Sequence, residues 1–437
     1  MPESLSLRDA AARVRSRDSL GVPLGPGQPA AFLHALGERD DFEELPVFCA
    51  LLIDAFPLFT RRGVKLRSGF FGPVERGLRK SGFDVEFIPA DFRRFADIAR
   101  QMRPRVMATA ATPPDAEGNL SLSLHAGATV DELHRAGRDP ERLLVVETNA
   151  ALPRTLGLPP EYPHTLHLSE VDILVESDRE PFSLTDLPPS EVDRAIAGHA
   201  CGFIEEGSTL QTGIGSIPSE IAALLASESG GDYGVHSEMF TDGLMKLHEA
   251  GKVSNRKGHF DGHSITTFAA GSPELYRWLD GNPEVRFLPV ERVNSEADIA
   301  RNRKLVSING AMSVDLTGQI AADALDGRQY SGIGGHMDFA ASATRSPGGR
   351  SLICMPATAR VGGATISRIV ARLPADACVT TPRHEVDVVV TEHGAAELCG
   401  RTVAERAEAL IGIAAPEQRD GLLEAWQRRD ASDRGGA

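Results

Sequence analysis

The sequence predicts an α/β protein made of two related domains. Three observations carry that expectation. Short β-branched apolar runs alternate with helix-like segments along most of the 437 residues. A stretch rich in Pro, Ser and charge interrupts the pattern near residue 180. The same glycine-rich arrangement occurs once on each side of that stretch.

The strand candidates are LLVVE (143–147), DILVE (172–176), SITTFA (264–269), KLVSIN (304–309), SLICMP (351–356) and VDVVVTE (386–392). Near-continuous apolar runs of this length suit parallel strands covered on both faces. PSEIAALLASE (218–228) and VAERAEALIGIA (403–414) are helix candidates between them, and such alternation defines α/β architecture. The segment 177–193 lacks periodicity and reads as a linker, with Ser190 placed to cap the next helix. It divides the chain into domains 1–185 and 186–437. The last ten residues, RRDASDRGGA, have no apolar face and are expected to fray.

The two echoes are LGPGQPAAFLHALGE (24–38) and TGIGSIPSEIAALLASE (212–228). Each places G-x-G, then a proline, then an apolar helix. Glycines let the backbone turn tightly, proline is tolerated in a first helical turn, and the helix start offers amides suited to an anion. A third glycine cluster, YSGIGGHMDF, spans 330–339. None of these loops ends in the Gly-Lys-Ser/Thr of a P-loop, and none is a dinucleotide fingerprint with its acidic partner.

Composition narrows the function. At 41% hydrophobic and 24% charged the chain is globular. No run of about 18 apolar residues suggests a membrane span, and the polar N-terminus does not resemble a secretory signal. A net charge of −15 disfavours a nucleic-acid partner. Five scattered cysteines without C-x-x-C spacing read as free, buried thiols in a reducing cytoplasm. The 13 histidines show no metal-ligand spacing.

Glu238 lies in GVHSEMFTDG (234–243), between a short strand candidate YGVHS and a helix that Thr241 could cap. Open α/β sheets place ligands at strand C-termini. A carboxylate there can act as a nucleophile toward an acyl group, with loop amides as oxyanion donors. Against this stands the ordinary surface glutamate, the commoner case.

The ordered set LQTGIGSIPSEI, GVHSEMFTDG, AMSVDLTGQI and YSGIGGHMDF resembles the acetyl-CoA hydrolase/transferase family, the class I coenzyme A transferases that include 4-hydroxybutyrate and succinate–acetate CoA-transferases. PPDAEGNLSLS, VVETNAALPRTLG and HLSEVDILVE extend the resemblance through the first half. VVTEHGAAELCGRTVAERAEALIGIAAPEQR carries it almost to the end. The resemblance implies two similar open-sheet α/β domains with flanking helices and the active site in the cleft between them, and Glu238 as the catalytic glutamate. It implies coenzyme A as substrate and as a covalent glutamyl-CoA intermediate, with no tightly bound cofactor and no metal. Gln211, Gly213, Gly215, Gly334, Gly335 and His336 would line the CoA site, and Gly25 and Gly27 are candidate oxyanion donors. The partners it implies are an acyl-CoA and a small carboxylic acid, in a cytoplasmic homo-oligomer such as a dimer or a dimer of dimers. His236 and Asp242 flank the nucleophile, with packing and helix capping as their simpler roles.

The chain departs from the family's usual Gln at His336, which would bring a shorter donor and a pH response. Segment 47–77 fits loosely, and by the resemblance it would face the acyl group. Two other readings share the residues. An acyl-CoA hydrolase would use water in place of the second acid, and a non-catalytic CoA-binding protein would have no use for Glu238.

Overall fold

The computed structural model describes residues 1–185, 187–325 and 327–435. The chain divides into two compact units. One comprises Met1–Thr185, Ser237–Thr241 and His263–Ser295; the other comprises Asp186–His236, Asp242–Gly262 and Glu296–Ala437. The 185/186 break falls in the segment read as a linker, but two later pieces of chain belong to the first unit. One of these carries Glu238.

The first unit holds an eight-stranded sheet. Its strands are β1 (Glu3–Ser4), β2 (Leu20–Gly21), β3 (Leu45–Cys49), β4 (Val64–Ser68), β5 (Val85–Phe87), β6 (Val106–Ala111), β7 (Leu143–Asn149) and β8 (Ile173–Ser177). Their order is β1-β8-β7-β6-β2-β3-β4-β5, and every neighbouring pair is parallel. Central strands of such a sheet are covered on both faces, so they read as unbroken apolar runs. Accordingly β6 is buried at all six positions and β7 at six of seven. From β2 the chain steps outward to β5, then returns to the opposite side of β2 at β6. That reversal is a topological switch point, where open sheets open a ligand crevice. The 25–27 glycine turn leaves the end of β2 and leads into helix α1 (Ala30–Gly37).

The second unit begins with helix α2 (Glu191–Cys201). Ser190 caps it as expected, its hydroxyl accepting the Asp193 amide in a capping box. The sheet here has six strands: β9 (Thr209–Gln211), β10 (Gly234–Val235), β11 (Leu305–Gly310), β12 (Arg350–Cys354), β13 (Val388–Thr391) and β14 (Gly394–Glu397). Their order is β10-β9-β11-β12-β13-β14. Only the β13–β14 pair is antiparallel. The chain goes from β9 to β10 on one side and then to β11 on the other, so β9 stands at the switch point of this sheet. The second glycine loop leaves β9 and enters helix α3 (Ser216–Ser227). The echo seen in the sequence is thus an echo of topology: each glycine loop leaves the strand where its own sheet reverses.

Three expectations change. SITTFA forms two short strands, Ser264–Thr266 and Phe268–Ala269, because each pairs with a different partner: 285–287 for the first, 239–240 for the second. The tail expected to fray is helical from Pro416 to Gly435, and residues 436 and 437 lie outside the described residues. Cys378 and Cys399 are exposed, whereas Cys49 and Cys354 are buried. Among the described residues no helix is long and apolar enough to cross a membrane.

Candidate active site

Glu238 sits at a crossing of the chain. Residue 236 ends a stretch of the second unit and residue 237 starts a five-residue stretch of the first. Within the first unit that stretch forms the strand Met239–Phe240, parallel to Phe268–Ala269. The Glu238 carbonyl accepts the Thr267 amide and the Thr266 hydroxyl, both at 3.0 Å. Ser237 is anchored on both sides: its amide donates to Ile265 and its hydroxyl to the Met239 carbonyl. With its backbone fixed, the half-buried side chain of Glu238 is oriented at its tip. Asn294, itself fully buried, donates from Nδ2 to a Glu238 carboxylate oxygen at 2.7 Å. A hydrogen bond to a charged acceptor is among the stronger ones in proteins.

The residues beneath this strand tie it to the first glycine loop. Ala126 and Gly127 donate their amides to the Thr267 carbonyl. His125 pairs with Phe268 and lies against Gly27, where a Cβ would come within 2.9 Å of the His125 Cβ. His125 is 2% exposed, and burial with His164 nearby pushes its imidazole down to about 3.

The Gly25 amide donates to the Ala50 carbonyl, beyond β3, and the Gly27 amide to Leu24 in its own loop, so both candidate oxyanion donors are engaged in this structure. The start of α1 is occupied as well: the buried carboxylate of Glu147, on β7, accepts the amides of Ala31 and Phe32. Burial pushes that carboxyl above its ordinary range, against the opposing pull of the two amides.

The second unit's loop differs. Gln211 ends β9, buried, and accepts from Asn309 at 3.4 Å. A Cβ on Gly213 would meet nothing within 4 Å, and the adjoining Ile214 is 49% exposed. Gly215, the N-cap of α3, has φ +121° and ψ 169° and no side chain to occupy the helix start, a backbone region open essentially to glycine alone. Gly334 and Gly335 precede helix α4 (His336–Ala343). His336 is turned to the protein: its Nε2 lies 2.7 Å from the Thr381 hydroxyl. Burial pushes its imidazole down to about 4, so it stays neutral near pH 7 and brings no pH response there.

His236 and Asp242 flank Glu238 in the chain. The His236 ring is fully buried between Phe260 and Phe339, with Asn302 Nδ2 at 3.1 Å from its Nδ1. Asp242 begins the helix 242–249, where a negative charge suits the helix dipole. Sequence reading missed Asn294, Thr266, Thr267 and Glu147 as site residues: Glu147 stands in the VVETNA segment and the two threonines in a strand candidate, but each reaches its partner across 28 or more residues.

The model of the acetyl-CoA hydrolase/transferase C-terminal domain matches residues 271–426. Succinyl-CoA:cyclohexane-1-carboxylate CoA transferase of Geobacter metallireducens is 36% identical over 96% of this chain and 94% of its own length. The chain belongs to the acetyl-CoA hydrolase/transferase family. Within this family, 4-hydroxybutyrate coenzyme A transferase of Clostridium kluyveri is 36% identical over 82% of this chain and 81% of its own. Among solved structures, RipA from Yersinia pestis superposes with a TM-score of 0.89 at 30% identity, covering 98% of both chains.

Proposed function

We propose that this enzyme is a coenzyme A transferase that moves CoA from an acyl-CoA to a carboxylic acid, with Glu238 as the nucleophile. The observation that carries the reading is the carboxylate of Glu238, fixed at its backbone by Thr266 and Thr267 and at its tip by buried Asn294. A carboxylate so oriented is preorganised for attack. It adds to the acyl-CoA carbonyl and expels CoA thiolate, giving a mixed anhydride. The thiolate then attacks the glutamyl carbonyl of that anhydride, releasing the first acid and leaving a glutamyl-CoA thioester. The incoming carboxylate attacks the thioester, and the same two steps in reverse yield the new acyl-CoA and free Glu238. The net reaction exchanges one thioester for another, so no ATP is needed, and two half-reactions through one covalent enzyme give ping-pong kinetics.

The CoA moiety is assigned to the second unit, against Gln211, Gly213, Gly215, Gly334 and Gly335. The support is the contrast between the loops: Glu147 occupies the helix start of the first, whereas the second has an open Gly213, an exposed Ile214 and an N-cap without a side chain. His336 then acts from below, holding the start of α4 through Thr381. The chain is further read as a homo-oligomer of the reducing cytoplasm, the assembly being open to light scattering.

Incubation with an acyl-CoA, borohydride reduction and mass spectrometry test the chemistry: modification is expected at Glu238. Glu238→Ala should lose turnover while still binding CoA; full activity in that variant ends the mechanism. Acyl-CoA consumption measured with and without added acids separates transfer from hydrolysis. CoA release that ignores the acid would favour the hydrolase.

A further inference from the structure

The turn at 125–127 stands behind both contacts that fix Glu238. Gly127, at φ +58°, donates its amide to the Thr267 hydroxyl oxygen at 2.9 Å and to the Thr267 carbonyl at 3.2 Å. Its carbonyl accepts the Val290 amide at 2.9 Å. Val290 opens the helical turn Val290–Val293, and its own carbonyl accepts the Asn294 amide at 2.8 Å. One turn thus holds two tethers. Thr267 binds the Glu238 backbone, and the short helix delivers Asn294 to the Glu238 carboxylate. All of these residues belong to the first unit.

Glycine is needed at 127 for more than its left-handed φ. A Cβ there would lie 1.9 Å from Cε1 of His125 and 2.3 Å from its Nε2, so the imidazole fills the space of the missing side chain. A Cβ on Gly27 would likewise come within 2.9 Å of the His125 Cβ and 3.0 Å of its Cγ. Two glycines therefore clasp this side chain. Among the described residues neither ring nitrogen has a hydrogen-bond partner. Burying a polar ring in that way is costly, and it calls for an explanation. With its imidazole pushed down to about 3 by burial and the nearby His164, the ring carries no charge near pH 7. What His125 gives the turn is contact.

We propose that His125 is a positioning residue: packed into the side-chain space of Gly127, it keeps the 125–127 turn in the conformation that aims Glu238. The proposal rests on the reading of Glu238 as the nucleophile. Gly127 has wide conformational freedom of its own, so without the ring the turn relaxes and both tethers move with it. Attack on an acyl carbonyl is sensitive to displacements on the ångström scale. The cost therefore falls on turnover, while CoA, assigned to the second unit, keeps its affinity.

The test uses the full chain with His125→Ala, His125→Leu, Asn294→Ala and the double variant His125→Ala/Asn294→Ala. Consumption of butyryl- or succinyl-CoA, whichever the wild type uses faster, is followed with acetate present, and calorimetry gives the dissociation constant for free CoA. Circular dichroism shows that each variant is folded; His125→Val takes the place of His125→Ala if the latter is not. His125→Ala should lower kcat about tenfold with the CoA dissociation constant within about twofold of wild type. Leucine keeps the Cγ and its two δ branches without the nitrogens, so His125→Leu should restore kcat to within about threefold. Residues that act as a unit are not additive, so the double variant should lose no more than about twofold beyond Asn294→Ala alone. Wild-type kcat in His125→Ala overturns the proposal. So does a CoA affinity that falls with kcat, a His125→Leu as slow as His125→Ala, or a full tenfold further loss in the double variant. Glu238→Ala is assayed alongside: turnover surviving there overturns the nucleophile, a separate result from the comparison at 125.

Discussion

Glu238 and Asn294 meet at 2.7 Å inside one unit, and the consequence of breaking that contact can be put in numbers. A hydrogen bond to a charged group contributes about 1.5–3 kcal/mol, so Asn294→Ala should lower kcat by roughly tenfold to a hundredfold. Steady-state kinetics check this: kcat falls while the dissociation constant for CoA stays near the wild-type value. Asn294→Asp, which replaces the donor with a like charge, should lose more. Of this pair only the glutamate was legible in the sequence. GVHSEMFTDG stands at a strand end with a recognisable pattern, whereas Asn294 belongs to an ordinary VNSEAD stretch. Its meaning arises only when a helix over 290–293 carries it beneath the strand. The candidate oxyanion role of Gly25 and Gly27 illustrates the reverse. The G-x-G pattern was visible, but the carbonyls of Ala50 and Leu24 that engage those amides were not.

At the scale of elements, the glycine-loop-to-helix unit is used twice with different fillings. In the first unit Glu147, contributed from β7, holds the start of α1; in the second Gly215 leaves the start of α3 uncapped by any side chain of its own. Gly215→Ala separates backbone conformation from crowding, because an added Cβ would find only Pro218 Cδ at 4.0 Å. Forcing alanine to φ +121° costs about 1–3 kcal/mol. The expected outcome is a lower thermal midpoint together with a KM for acyl-CoA raised about tenfold; a lower midpoint with unchanged KM would remove this loop from the CoA site. The strands were readable because burial on both faces leaves an apolar run, as in LLVVE and KLVSIN. The 264–269 run was read as one strand because apolar patterning does not report partners, and it has two.

For the whole molecule, buried titratable groups set the response to acid. His125, His164 and His336 are pushed down by burial to about 3, 4 and 4. The unfolded chain binds those three protons near pH 6.5, so it gains protons first as pH falls, and folding stability is lost from about pH 6.5 downward. Glu75 and Glu147 are pushed up by burial and act in the opposite sense, since the folded state takes their protons at higher pH than the unfolded one. Urea unfolding of His125→Leu at pH 7.5 and pH 5 isolates one of these terms. Relative to the wild type, the variant should gain about 2 kcal/mol between the two pH values, from ~1.4 kcal/mol per proton per pH unit. The division of the chain was only half legible. A composition shift marks 177–193, but nothing in composition marks the return of 237–241 and 263–295 to the first unit, because those segments join it by strand pairing and packing. That return has a practical meaning for anyone cutting the gene. A fragment ending at residue 185 would carry an eight-stranded sheet and its glycine turn, yet it would contain neither Glu238, the proposed nucleophile, nor Asn294, which donates to its carboxylate.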